Sequence, residues 1–116
     1  MLKDEQVEIL TSIKDYTANV IDMMPYVVNA YRMADIAKIS EYSLPLIEGF
    51  EWLNEAISLT NQFHDISMFE IKEVFEELMD SMQYKDYVLT ADLFEFEILP
   101  KFEEWNKKIS DLLEIN

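Results

Sequence analysis

Cysteine is absent from the 116 residues, which removes disulfide frameworks and thiolate chemistry. Glycine occurs once and proline three times. An all-β domain of this length needs several tight turns, and glycine is their usual source. Phosphate-cradling loops, dinucleotide fingerprints and G-x-S-x-G elbows all need more than one glycine. Bases are scarce too: nine stand against 24 acids, for a formal charge of −15. Such a surface repels nucleic-acid phosphates and anionic lipid headgroups. It favours solubility and a basic protein partner. No apolar run approaches the roughly 18 residues of a membrane span. The opening MLKDEQVEIL has charges scattered among its apolar residues and no signal-peptide core. A cytoplasmic protein that touches neither membrane nor nucleic acid is expected.

Half of the residues are hydrophobic and 15 are aromatic, ample for one core. The length suits a single domain, 1–116. Apolar residues at Ile9, Ile13, Tyr16, Val20, Met24, Val27, Tyr31 and Ala34 recur every three or four positions. That spacing predicts an amphipathic helix from about residue 4 to 33, bent or broken near Pro25. Asp35 is a candidate N-cap for a second stripe, Ile36, Ile39, Tyr42, Leu46, Phe50, Leu53 and Ile57, with a kink expected at Pro45. The polar stretch TNQFHD at 60–65 reads as the central loop. SMFE at 67–70 has the form of a capping box and opens the stripe Met68, Ile71, Phe75, Leu78, Met82. A corner is expected near Gln83–Asp86.

The stretch FEFEILPKFEEW at 94–105 starts like a strand and ends like a helix. Its alternation fails at Leu99, whereas Leu89, Leu93, Phe96, Leu99, Phe102, Trp105, Ile109 and Leu112 continue at helical spacing. A long helix is therefore predicted, kinked at Pro100, with Phe94 and Ile98 widening its apolar face. The combination of capping aspartate, Leu-Pro and later tryptophan occurs twice: Asp35, Pro45, Trp52 and Asp86, Pro100, Trp105. Aspartate and proline are ten residues apart in the first and 14 in the second, a difference of about one helical turn. Duplicated hairpins, 4–61 and 66–114, are one reading of this likeness, and chance similarity of amphipathic helices is the other. The fold class predicted is all-α: a four-helix up-down bundle of two helical hairpins with proline-kinked helices.

Signals for chemistry are sparse. A di-iron bundle needs two Glu-x-x-His pairs, yet His64 is the single histidine and lies in the predicted loop. Zinc lacks cysteine ligands. Carboxylates such as Glu76 and Asp80, or Glu48, Glu51 and Glu55, read as a solvated helix face. No metal, cofactor or catalytic residue is assigned, and no enzyme activity is expected. The aromatics Phe50, Trp52, Phe94, Phe96, Phe102 and Trp105 gather around the two Leu-Pro sites. They read first as core. As a recognition surface they would form a groove between kinked helices that takes a partner's apolar side chains.

The runs LPLIEGFEWLNEAI (44–57) and DYVLTADLFEFEILPKFEEW (86–105) resemble segments of small uncharacterised helical proteins from low-GC, Gram-positive-type bacteria. That resemblance implies a helical-bundle domain of unknown function and supplies no activity or site residue. The expected role is a non-enzymatic protein–protein interaction module, such as an adaptor, chaperone or inhibitor, with homo-oligomerisation compatible. The alternatives are a nucleic-acid mimic that blocks a basic nucleic-acid-binding protein, and a small-ligand-binding bundle.

Overall fold

The first apolar stripe folds as one uninterrupted helix, α1 (Asp4–Arg32), which carries Pro25 inside it. A computed structural model describes residues 3–115. The second stripe forms α2 (Ile36–Leu59), which carries Pro45. Two 3₁₀ turns, Asn61–Phe63 and Met68–Ile71, lead into α3 (Lys72–Gln83). A further helix, α4 (Tyr87–Leu93), passes through a π-helical turn (Phe94–Ile98) into α5 (Leu99–Ile115). No strand occurs among the described residues.

Both short corners are built the same way. Ala34 and Lys85 sit at positive φ, 49° and 56°, in the left-handed region. The Ala34 N–H donates to the Tyr31 carbonyl and the Asp35 N–H to that of Ala30. In the second corner Lys85 donates to Met82 and Asp86 to Ser81. This is the Schellman arrangement, which satisfies the last carbonyls of the incoming helix. The residue that completes each motif is also the next N-cap. Asp35 accepts from the Lys38 N–H at 3.3 Å, and Asp86 accepts from the Leu89 N–H at 3.1 Å. Such tight reversals force α1 against α2 and α3 against α4, giving the up-down hairpins that the stripes predict.

The central connection is less regular. Ser67 and Glu70 form the expected capping box, with Glu70 accepting the Ser67 N–H at 2.9 Å. It opens a 3₁₀ turn ahead of α3. His64 links this segment to the end of α2. Its Nδ1 accepts the Ile66 N–H at 3.1 Å, which leaves Nε2 to donate to Thr60 Oγ1 at 2.9 Å. Thr60 Oγ1 in turn donates to the Ala56 carbonyl. From the other side Lys108 reaches Asp65 at 3.1 Å and Lys101 reaches Glu70 at 3.3 Å, so α5 pins the segment at two points.

The puzzle at FEFEILP resolves as helix, though not a plain one. Pro100 has no N–H for the Phe96 carbonyl, and its ring crowds that carbonyl in a regular α-helix. The wider π turn lies just before it, with the Leu99 N–H reaching back to the Phe94 carbonyl. Phe94 and Ile98 are both buried, as expected of the residues that widen the apolar face.

The bundle is a rod, 47 Å in its longest dimension. A 29-residue helix rises about 44 Å, so α1 runs nearly its full length. It packs closely against α2, α4 and α5. Leu10, Ile13, Val20, Met24 and Val27 on α1 meet Phe102, Trp105 and Ile109 in one continuous core. Two polar side chains on this seam, Thr17 and Asn106, are hydrogen-bonded. Asn106 Nδ2 donates to the Lys14 carbonyl at 2.9 Å and to Thr17 Oγ1 at 3.0 Å.

Candidate functional site

The six aromatics read as a possible recognition surface divide sharply. Phe50, Phe94, Phe102 and Trp105 lie in the core, each at most 2% exposed. Trp52 is 40% exposed and Phe96 63%. Trp52 sits level with Tyr16, whose ring it meets edge-on at 5.5 Å. Phe96 lies in the π turn beside Glu95, which pairs with Arg32 near the other end of α1. The structure therefore does not gather these six side chains into one groove. Periodicity could mark Trp105 as interior, because it falls on the stripe. Trp52 falls one position off the stripe, between Phe50 and Leu53.

The two tryptophan and two proline positions also differ in setting. Pro45 lies mid-helix in α2, whereas Pro100 follows the π turn at the start of α5. Trp105 is fully buried, and its indole N–H has no partner among the described residues.

A different concavity stands out. Between α2 and α3 lies a groove of about 730 Å³. Its apolar lining includes Phe50, Ile57, Met68, Phe69 and Phe75, and its polar lining includes Glu51, Asn54 and Glu76. Phe50 and Phe75 meet at a ring separation of 5.7 Å, closing its inner end. Phe69 stands at the rim, 77% exposed, with Lys72 Nζ lying 5.8 Å from its ring centroid. Sequence reasoning placed Phe50, Ile57, Met68 and Phe75 on the stripes. It could not show that α2 and α3 fail to close over them, because a stripe records which face is apolar and not how near its neighbour comes.

Charge is distributed unevenly around this groove. Helix α2 carries Glu41, Glu48, Glu51 and Glu55 against Lys38, and α3 carries Glu73, Glu76, Glu77 and Asp80 against Lys72. Among the described residues none of these acids is in an ion pair. The pairs that do form hold Arg32 to Asp92 and Glu95, and use Lys101, Lys107 and Lys108 of α5. Lys108 also holds the Asp65 carboxyl below its usual range by a direct hydrogen bond. Burial lowers the pKa of His64, in keeping with the neutral ring that its two hydrogen bonds require.

No group of three or more histidines or carboxylates able to hold a metal ion occurs among the described residues. No helix there is long and apolar enough to cross a membrane.

A family described as a domain of unknown function, DUF8042, matches residues 8–108. The chain belongs to that family. The DUF8042 match takes in both hairpins, the groove between α2 and α3, and the seam between α1 and α5. Among curated proteins and among solved structures, nothing matches the chain.

Proposed function

We propose that the protein is a non-enzymatic interaction module that binds a basic protein partner through the groove between α2 and α3. The observation that carries this reading is the coincidence of two features on one face. An apolar groove with Phe69 at its lip lies between helices whose acids have no ionic partner among the described residues. Apolar area supplies affinity, and uncompensated like charge selects the partner's sign and speeds its encounter. Adaptor, chaperone and inhibitor roles all use such a surface.

The test is a tagged pull-down from the native host, run beside a Glu51→Lys, Glu76→Lys double variant. Both positions are exposed, so the fold should persist, which circular dichroism checks. One dominant basic partner, retained by the wild type and lost by the variant, is the expected result. A partner held equally by both proteins defeats the electrostatic reading. No partner at either low or moderate salt defeats the module itself.

A further inference from the structure

The two hairpins carry a repeat that becomes visible when the corners are superposed. Asp35 and Asp86, the equivalent caps, are 51 positions apart. Past the π turn the offset grows by one, because that turn holds one extra residue. In this register Phe50-Glu51-x-x-Asn54-x-x-Ile57-Ser58 matches Phe102-Glu103-x-x-Asn106-x-x-Ile109-Ser110. Burial matches as well: Leu46 and Ile98, Phe50 and Phe102, Leu53 and Trp105, Ile57 and Ile109 are all buried. On α1 and α3, Val20 answers Ile71 and Val27 answers Leu78. The one-residue π turn thus replaces the one-turn insertion suggested by the proline spacing.

The halves part company at one place. In the seam between α1 and α5, the first half of α1 lies along α5, and Asn106 ties the two together by bonding the Lys14 carbonyl. The corresponding seam is the groove between α2 and α3. There the positions equivalent to Lys14 and Thr17 are Asp65 and Met68, which belong to the connecting segment and a 3₁₀ turn. Helix α1 covers one side of the outer half of α2, but among the described residues no helix lies along its groove-facing side. Asn54, the counterpart of Asn106, is exposed, and its side chain makes no hydrogen bond among the described residues. The molecule therefore contains one filled seam and one seam that lacks about three helical turns.

Resting on the interaction-module reading, we infer that the groove accepts an amphipathic, basic α-helix of a partner protein. That helix runs antiparallel to α2, as α1 runs to α5, and Asn54 donates to one of its main-chain carbonyls. Its apolar stripe has the spacing of Ile9, Ile13, Thr17 and Val20, because the complementary face of α2 repeats that of α5. Its outward face is basic because Glu51 and Glu76 line the site and have no ionic partner among the described residues. A second copy of this chain is disfavoured as occupant, since its formal charge of −15 adds repulsion.

The test uses two synthetic helical peptides of about 14 residues, long enough for the missing turns. Both carry the α1 stripe. One has lysine at the outward positions and its twin has glutamate. Each is titrated into isotope-labelled full chain and followed by NMR. The lysine peptide should bind saturably, shifting the Asn54 side-chain amide and the signals of Ile57, Met68 and Phe75. The glutamate twin should bind at least about ten-fold more weakly. Asn54→Ala should weaken the lysine peptide about five-fold, the usual value of one hydrogen bond, with unchanged thermal stability. Saturable binding that leaves the groove signals unmoved overturns the docking site but leaves the interaction module standing. Equal binding of the twins overturns the basic occupant, and an indifferent Asn54→Ala overturns the α1–α5 template. A concentration-dependent dimer that shifts the same groove signals and excludes the peptide replaces the proposed occupant with a second copy.

Discussion

Replacing Gly49, the chain's single glycine, by alanine should destabilise the protein, although helix propensity says the opposite. Gly49 lies within α2, where alanine is favoured over glycine by about 1 kcal/mol. The backbone there has no positive φ that would demand glycine. Space decides the matter. A Cβ at position 49 would fall inside contact distance of the Tyr16 hydroxyl and of the ring carbons Cζ and Cε1. The ring has little room to retreat, with Trp52 edge-on at 5.5 Å and Phe102 at 6.5 Å. Overpacking of this kind costs about 1–3 kcal/mol, so the net loss after the propensity gain should reach up to about 2 kcal/mol. For a domain of this length that corresponds to a fall of up to roughly 8 °C in Tm. Thermal unfolding followed by circular dichroism reads it directly. On a Tyr16→Leu background the obstruction is gone, and Gly49→Ala should then stabilise the protein. The hydroxyl itself is expendable. It is buried without a partner among the described residues, and burial holds its pKa well above the ordinary tyrosine value. Tyr16→Phe should leave stability unchanged or improve it. A higher Tm for Gly49→Ala in the wild-type background would refute the steric argument.

Other expectations follow from the corners, the histidine and the tryptophans. Ala34→Gly and Lys85→Gly should each stabilise the chain by up to about 1 kcal/mol in urea titrations, because both residues hold a positive φ that glycine adopts without strain. Unchanged or lower midpoints for both would refute that account. His64 has a pKa below its ordinary 6.5 in the folded chain, so its contribution is complete above that range and is lost as pH falls through the folded value. Wild-type protein should therefore lose stability relative to His64→Ala as pH falls below the ordinary histidine value of 6.5, and a parallel pair of curves would count against it. Acrylamide should quench Trp52 and spare Trp105, so that Trp52→Phe leaves a blue-shifted, protected emission. Comparable quenching of the two single-tryptophan proteins would contradict the burial described.

The helices were legible because each stripe is long and keeps its phase, and because short polar side chains mark their starts. Asp35, Asp86 and the Ser67–Glu70 box all cap as their residue types suggest. Three things were hidden. The π turn depends on i→i+5 bonding, which leaves the apolar series intact and so leaves no trace in it. The fates of Trp52 and Trp105 turn on a shift of one position along similar helices, a rotation of about 100°. The groove depends on the separation of α2 and α3, to which apolar spacing is blind. One signal was present and is masked by aligning the halves on their prolines and tryptophans. In the register set by the capping aspartates, Pro45 and Pro100, like Trp52 and Trp105, do not align, whereas the Phe-Glu-x-x-Asn-x-x-Ile-Ser pattern does.

The seam between α1 and α5 joins residues far apart in sequence, since the bond from Asn106 to the Lys14 carbonyl spans 92 positions. During synthesis the first half of α1 leaves the ribosome long before its cover exists. At about 5–20 residues per second, Leu10 and Ile13 wait roughly 5–20 s for Phe102 and Ile109 to emerge. Helix α2 arrives sooner but covers only one side of them. For that interval the nascent chain presents an apolar stripe that a holding chaperone at the ribosome can occupy, and stalling translation after α3 should capture that unsealed state.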